Sequence, residues 1–177
     1  MKPIFLSLLA SGFIFSIKSL VGFLTGSLSI LSEAVHSFVD LLSAFGSLYS
    51  ISVNNQKLSI KIEIAIITLG SLWILKEVLA SESHIVNTIP GIIVTIVSAV
   101  IYFLVFKINH KNHSHSLAVR ANLYHIASDI GSSILVLIGL VAQLITGLAV
   151  IDKIVAILIV IWLFYLVLRL LKELFKA

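Results

Sequence analysis

Six apolar runs, separated by short polar or turn-forming clusters, constrain this chain more than any other feature: 4–26, 28–53, 62–79, 89–108, 117–145 and 150–171. Each holds at least 18 residues. A helix rising ~1.5 Å per residue needs roughly 20 to cross a ~30 Å hydrocarbon core, so every run is a candidate span. The expectation is a single transmembrane domain over 1–177, an all-α bundle of six membrane-crossing helices with both termini on one side. Composition agrees, since 59% hydrophobic and 11% charged residues with a mean hydropathy of +1.17 exclude an ordinary soluble domain.

Met1-Lys2-Pro3, an apolar stretch and Leu9-Ala10-Ser11-Gly12 resemble a secretory signal, but the run continues unbroken to Gly26. The first run is therefore expected to be a retained span. With the N-terminus inside, nine basic residues face inward (Lys2, Lys57, Lys61, Lys107, Lys111, Arg120, Arg169, Lys172, Lys176) and two outward (Lys76, Lys153). That bias puts both termini in the cytoplasm, and the cell (inner) membrane is the expected host. Thr25-Gly26-Ser27 leaves room only for a tight hairpin between the first two runs. Gly22-x-x-x-Gly26 either lets those helices approach closely or is two unrelated glycines.

Several function classes drop out. With no cysteine and Met1 as the one methionine, thiolate zinc sites, iron–sulfur clusters and soft copper(I) sites are excluded. The net charge of +4 is scattered over the ends of the runs, with no basic block or aromatic interleaving, so no nucleic-acid partner is expected. His-Glu-x-x-His, Gly-x-Ser-x-Gly and phosphate-cradling loops are missing from the sequence, which argues against an enzyme of the common hydrolase or nucleotide-driven kinds.

What remains is a set of ionisable residues inside the apolar runs: Lys18, Glu33, His36, Asp40, His125 and Asp129. Each charge at the bilayer centre costs ~2.5–3.5 kcal/mol on insertion scales, so these groups must be paired, protonated, metal-bound or in a wet cavity. Glu33, His36 and Asp40 share one helix face, and His125-x-x-x-Asp129 repeats the His36-x-x-x-Asp40 spacing downstream. Counted from Gly26, Lys18 and Glu33 lie ~12 and ~10 Å deep, which predicts an ion pair between them, against the alternative of a lysine snorkelling on its own. His36 and Asp40 lie ~15 and ~21 Å deep, so on antiparallel helices His36 should sit level with Asp129, and Asp40 level with His125.

Two imidazoles and two carboxylates can close a tetrahedron around one divalent cation, the two carboxylates balancing its charge. Imidazole with carboxylate suits Zn2+ first, then Co2+, Ni2+ and Fe2+, whereas Mg2+ and Ca2+ prefer all-oxygen shells. Ser29, Ser32, Ser43 and Ser47 on the second run, with Asn122, Ser128, Ser132 and Ser133 on the fifth, read as a polar cavity lining or as helix-packing glue. His110, His113 and His115, between the fourth and fifth runs, are candidates for accessory metal capture or belong to a plain solvated loop. His84 reads as a surface residue.

Lys18, the run Gly26-Ser27-Leu28-Ser29-Ile30-Leu31-Ser32-Glu33-Ala34-Val35-His36-Ser37-Phe38-Val39-Asp40 and Ala121-Asn122-Leu123-Tyr124-His125-Ile126-Ala127-Ser128-Asp129 together resemble the cation diffusion facilitator family of metal transporters. The resemblance implies a six-helix transmembrane domain that exports divalent metal from the cytosol in exchange for protons, commonly as a homodimer. It carries the family's transport site onto His36, Asp40, His125 and Asp129. The His/Asp, His/Asp set is similar to that of zinc-preferring members; those with Asp in place of the first His accept cadmium as well. Cd2+, Co2+, Fe2+, Ni2+ and Mn2+ stay open as cargo beside Zn2+.

Two departures stand out. The family's cytosolic C-terminal α/β domain is expected to be absent from this chain, as in a fragment or a short member. Asn54-Asn55-Gln56-Lys57 lacks the histidine of the family's Gly-His-Gly-Lys-x-Glu-like run, of which Lys61-Ile62-Glu63 keeps only the end. Two other readings are a non-transporting metal-binding or partner subunit and a membrane-embedded metalloenzyme. The second fits poorly, because Glu33-x-x-His36 has no downstream counterpart with glutamate.

Overall fold

Among the described residues the computed structural model is all-helical: α1 (Lys2–Thr25), α2 (Leu28–Val53), α3 (Gln56–Ala80), α4 (Thr88–Lys111), α5 (Leu117–Thr146) and α6 (Val150–Lys176). The structure describes the backbone of 2–53, 56–80, 86–111 and 117–176, and the side chains of 5–42, 45, 60–62, 64–80, 86–110, 126–172, 174 and 175. α3 starts at Gln56 rather than 62, and α6 runs to Lys176 rather than 171. Hydropathy marks where lipid contact ends, but Gln, Lys, Glu, Arg and Leu continue a helix into polar surroundings without penalty.

Among the described residues, four helices carry segments long and apolar enough to cross a membrane: Phe5–Thr25, Thr88–His110, Ile126–Thr146 and Val150–Lys172. Of the other two helices, α2 carries Glu33, His36 and Asp40 within its apolar stretch, and α3 carries Lys57, Lys61, Glu63, Lys76 and Glu77. The outer faces are apolar, with Phe23, Ile93, Phe103, Ile138, Ile161 and Leu168 all exposed. An apolar exterior of this extent belongs in lipid rather than water, and the protein is an integral multi-pass membrane protein.

Two reversals rest on glycine. Gly26 and Gly147 have φ of 70° and 69°, the left-handed region that a Cβ disfavours. Each amide turns back onto its own helix, Gly26 N to Gly22 O at 2.9 Å and Gly147 N to Gln143 O at 2.8 Å. This is the left-handed C-cap, and it stops α1 and α5 so that α2 and α6 can start at once. Only one glycine of Gly22-x-x-x-Gly26 acts in packing: a Cβ at Gly22 would lie 2.8 Å from Leu31 Cδ2, while Gly26 makes the turn.

The two glycine turns share one end of the bundle, because Asp152 in the first turn of α6 reaches the start of α2. At the opposite end Asn109 Nδ2 donates to Ser7 Oγ at 3.1 Å, tying the end of α4 to the start of α1. α2 lies innermost, packed against α1, α3, α5 and α6, while α4 packs on α1 and α5. The main apolar core runs between these helices through Ile30, Val39, Ile67, Val136, Ile159 and Leu163. The inner stripe of α2 therefore faces α5 in the interior, away from lipid.

Candidate metal centre

The 3.6-residue period puts Glu33, His36 and Asp40 on the buried face of α2, where their relative exposures are 0%, 3% and 9%. From α5, Asp129 enters the same space at 3% exposure. His36 Nε2 stands 3.2 Å from Asp129 Oδ1 and 3.7 Å from Asp40 Oδ2. His36, Asp40 and Asp129 each offer a ligand atom, and those atoms lie within 4.8 Å of one another.

The donor set suits a divalent cation on chemical grounds. Both ring nitrogens of His36 and Oδ1 of Asp129 are buried without a hydrogen-bond partner of good geometry. Native interiors satisfy such groups, so a ring nitrogen and carboxylate oxygens brought together in one buried place call for a further partner. Two carboxylates and one imidazole bring up to two negative charges and the mixed nitrogen and oxygen shell that Zn2+ and its neighbours favour.

Glu33 does not join this cluster. Its Oε1 is 2.7 Å from Lys18 Nζ of α1 and also accepts from Ser133 Oγ of α5. Lys18 donates to Ser133 Oγ at 3.4 Å and lies 5.7 Å from the centre of the Tyr102 ring on α4. Both charged groups are sealed from solvent, Lys18 at 1% exposure. The cation is thus surrounded by a carboxylate, a hydroxyl and an aromatic face.

His125 stands one turn before Asp129 on α5, but its side chain lies outside the described residues, as do His113, His115 and His84. His110 is exposed at the end of α4 and stacks on Phe106 with ring centres 5.8 Å apart. The serines divide. Ser32 and Ser132 bond carbonyls of their own helices, of Leu28 at 2.7 Å and Asp129 at 3.0 Å, as packing residues do. Ser29 serves Asp152, Ser133 serves Glu33, and Ser43, Ser47 and Asn122 have side chains outside the described residues.

Sequence reasoning missed two residues. Tyr102 packs over Lys18 and donates from its hydroxyl to Ser37 Oγ at 3.4 Å; its signal was the buried polar stripe of Thr95, Ser98, Tyr102 and Asn109 along one face of α4. Asp152 also carried a signal, being an acidic residue in the first turn of a helix at the depth of the Gly26 hairpin.

Residues 4–177 match the family described as the cation efflux transmembrane domain. The chain is 26% identical over 175 residues to the zinc transporter ZitB of Yersinia pestis, covering 89% of this chain and 56% of that protein. ZitB of Yersinia pseudotuberculosis serotype I (strain IP32953) matches with the same identity and coverage. The magnetosome protein MamB of Magnetospira sp. (strain QH-2) is 26% identical over 160 residues, covering 79% of this chain and 54% of that protein. The chain thus spans about half the length of the curated relatives it matches. With a family match that leaves out only the first three residues, the chain belongs to the cation diffusion facilitator family, whose cation efflux transmembrane domain it carries.

Proposed function

We propose that this protein exports a divalent cation, Zn2+ before others, by binding it between α2 and α5 and releasing it on the far side in exchange for protons. The observation that carries the reading is the buried convergence of His36, Asp40 and Asp129, with ligand atoms within 4.8 Å, inside a bundle whose outside is apolar. His125, one turn from Asp129, is assigned as the fourth ligand. Family membership and the similarity to two zinc transporters support zinc as the cargo.

The chemistry is set by the task of the site. A cation entering this space gives up its water, and the two carboxylates replace that solvation with matching charge. An imidazole nitrogen holds a metal or a proton but not both, so protonation of His36 or His125 displaces the cation. That exclusion couples the two fluxes. Alternating access requires α2 and α5 to tilt against their neighbours so that the site opens first to one side and then to the other.

In this reading all six helices cross the membrane, and α2 and α3 tolerate their charges because α2 is buried by its neighbours and the α3 charges cluster near its ends. The Lys and Arg bias supports an orientation with both termini on the cytoplasmic side of the cell membrane. His110, His113 and His115 are assigned to accessory capture on that side, and a homodimer is the assembly.

The test is transport in proteoliposomes. Zn2+ uptake is expected to respond to an imposed pH gradient and to fall to background in Asp40→Ala and in Asp129→Ala. Flux unchanged in both variants would remove the site, and flux indifferent to the pH gradient would remove the coupling.

A further inference from the structure

The ion pair of Lys18 and Glu33 stands outside the cluster of His36, Asp40 and Asp129, beside it on the Gly26 side. Glu33 is one turn nearer the Gly26 end of α2 than His36, and Ser133 is one turn nearer the Gly147 end of α5 than Asp129. The two helices that supply the cluster are therefore cross-linked directly above it, through Ser133 Oγ and Glu33 Oε1, with Lys18 of α1 on both. Tyr102 of α4 closes the remaining side. Four helices thus meet at one charge-neutral plug.

A buried ion pair is a weak way to hold helices together, since apolar residues of similar volume usually do so at least as well. Its presence calls for a second state in which the partners separate. Glu33 carries a further mark of that. Its Oε2 is buried with no hydrogen-bond partner, so the carboxylate is held with half of its acceptor capacity unused.

Building on the transport reading, we propose that Lys18, Glu33 and Ser133 form the gate on the Gly26 side of the cation path, closed in this structure. A cation leaving His36 and Asp129 competes with Lys18 for the Glu33 carboxylate. Once Lys18 is displaced, α1, α2 and α5 are free to part. Lys18 and Glu33 are positioning residues in this scheme, and neither belongs to the resting cation shell.

The gate is testable without measuring flux. Because the natural chain has no cysteine, Ser37→Cys gives a single reporter one turn inward of Glu33, at a position only 1% exposed. Right-side-out vesicles without added metal are treated with a membrane-impermeant methanethiosulfonate, and the labelling rate is read. Adding Lys18→Met with Glu33→Gln, which removes both charges at similar volume, is expected to speed labelling by about tenfold or more. Ser133→Ala, a gentler change that keeps the ion pair, is expected to give about threefold. Zn2+ affinity by calorimetry should stay within about threefold in both backgrounds, because the cluster itself is untouched.

Labelling that stays slow in the Ser133→Ala and the folded double variant makes the pair a static brace and overturns the gate. If the double variant does not fold, Ser133→Ala decides by itself. Fast labelling in the variants with no Zn2+ flux in the unaltered protein leaves the gate standing and removes the transport reading instead.

Discussion

Asp152 Oδ2 accepts a 2.6 Å hydrogen bond from the backbone amide of Leu28, so the first turn of α6 caps the first residue of α2. Its other oxygen takes the Ser27 and Ser29 hydroxyls at 2.7 and 2.5 Å and the Ser29 amide at 3.3 Å. Helix starts leave amides unpaired, and a carboxylate there also meets the positive end of the helix dipole. A local residue usually supplies the cap; here Ser27 Oγ accepts from the Ile30 amide at 3.4 Å, and a carboxylate 124 positions from Leu28 takes the first amides. Asp152→Ala should therefore destabilise the bundle by about 2–3 kcal/mol, and Asp152→Asn by less because its amide oxygen still accepts. Unfolding of the purified protein in increasing SDS measures both, and an Ala variant as stable as the parent would show the cap to be dispensable.

Close approach of α1 and α2 gives a second expectation, with opposite signs at two glycines. A Cβ at Gly22 would sit 2.8 Å from Leu31 Cδ2 and 3.2 Å from the Leu31 amide nitrogen, so the helices must shift apart to admit it. Gly22→Ala should cost about 1–3 kcal/mol through overpacking. At Gly131 on α5 a Cβ meets nothing within 4 Å, and Gly131→Ala should be neutral or stabilise by up to ~1 kcal/mol through helix propensity. The same SDS titration reads both variants, and a Gly22→Ala protein as stable as Gly131→Ala would contradict the packing.

Depth along a helix is legible from sequence because the rise per residue is fixed. One reversal at Gly26 suffices to bring Lys18 and Glu33 to the same level, and their heads lie 2.7 Å apart. Rotation is legible too, since the 3.6-residue period gathers Glu33, His36 and Asp40 on one face. Which distant helices meet is legible where matched motifs mark both, as with His36 and Asp129, 3.2 Å apart, and not elsewhere. Nothing local to Asp152 names Leu28 as its partner, and nothing around Tyr102 places it over Lys18, because those contacts depend on how α6 and α4 pack. Hydropathy misjudges the extents of α3 and α6 for a different reason: backbone hydrogen bonding continues past the point where side chains turn polar.

Removing one charge at a time from the cluster should act on binding and leave the fold intact. Asp40→Asn and Asp129→Asn keep shape but take away an anionic ligand, so each should weaken Zn2+ binding by about 100-fold or more while helical content is retained. Calorimetry and circular dichroism on the same samples separate the two effects. Binding within a few-fold of the parent in both variants would mean that the cation is held elsewhere.

Selectivity gives the last expectation, and it rests on His36 alone among the described ligands. Imidazole is the one nitrogen donor of the described cluster, and in the proposed transport site it would favour Zn2+ over cations that take oxygen shells readily. His36→Asp converts the described set to three carboxylates and adds a negative charge. Preference for Zn2+ over Mn2+ and Cd2+ should then fall by about tenfold, mostly through weaker Zn2+ binding. Competition of each cation against radioactive Zn2+ in proteoliposomes measures the ratio directly. A variant that binds Zn2+ less well yet keeps the parent ratio would place selectivity outside His36, with His125 of α5 as the next nitrogen to replace.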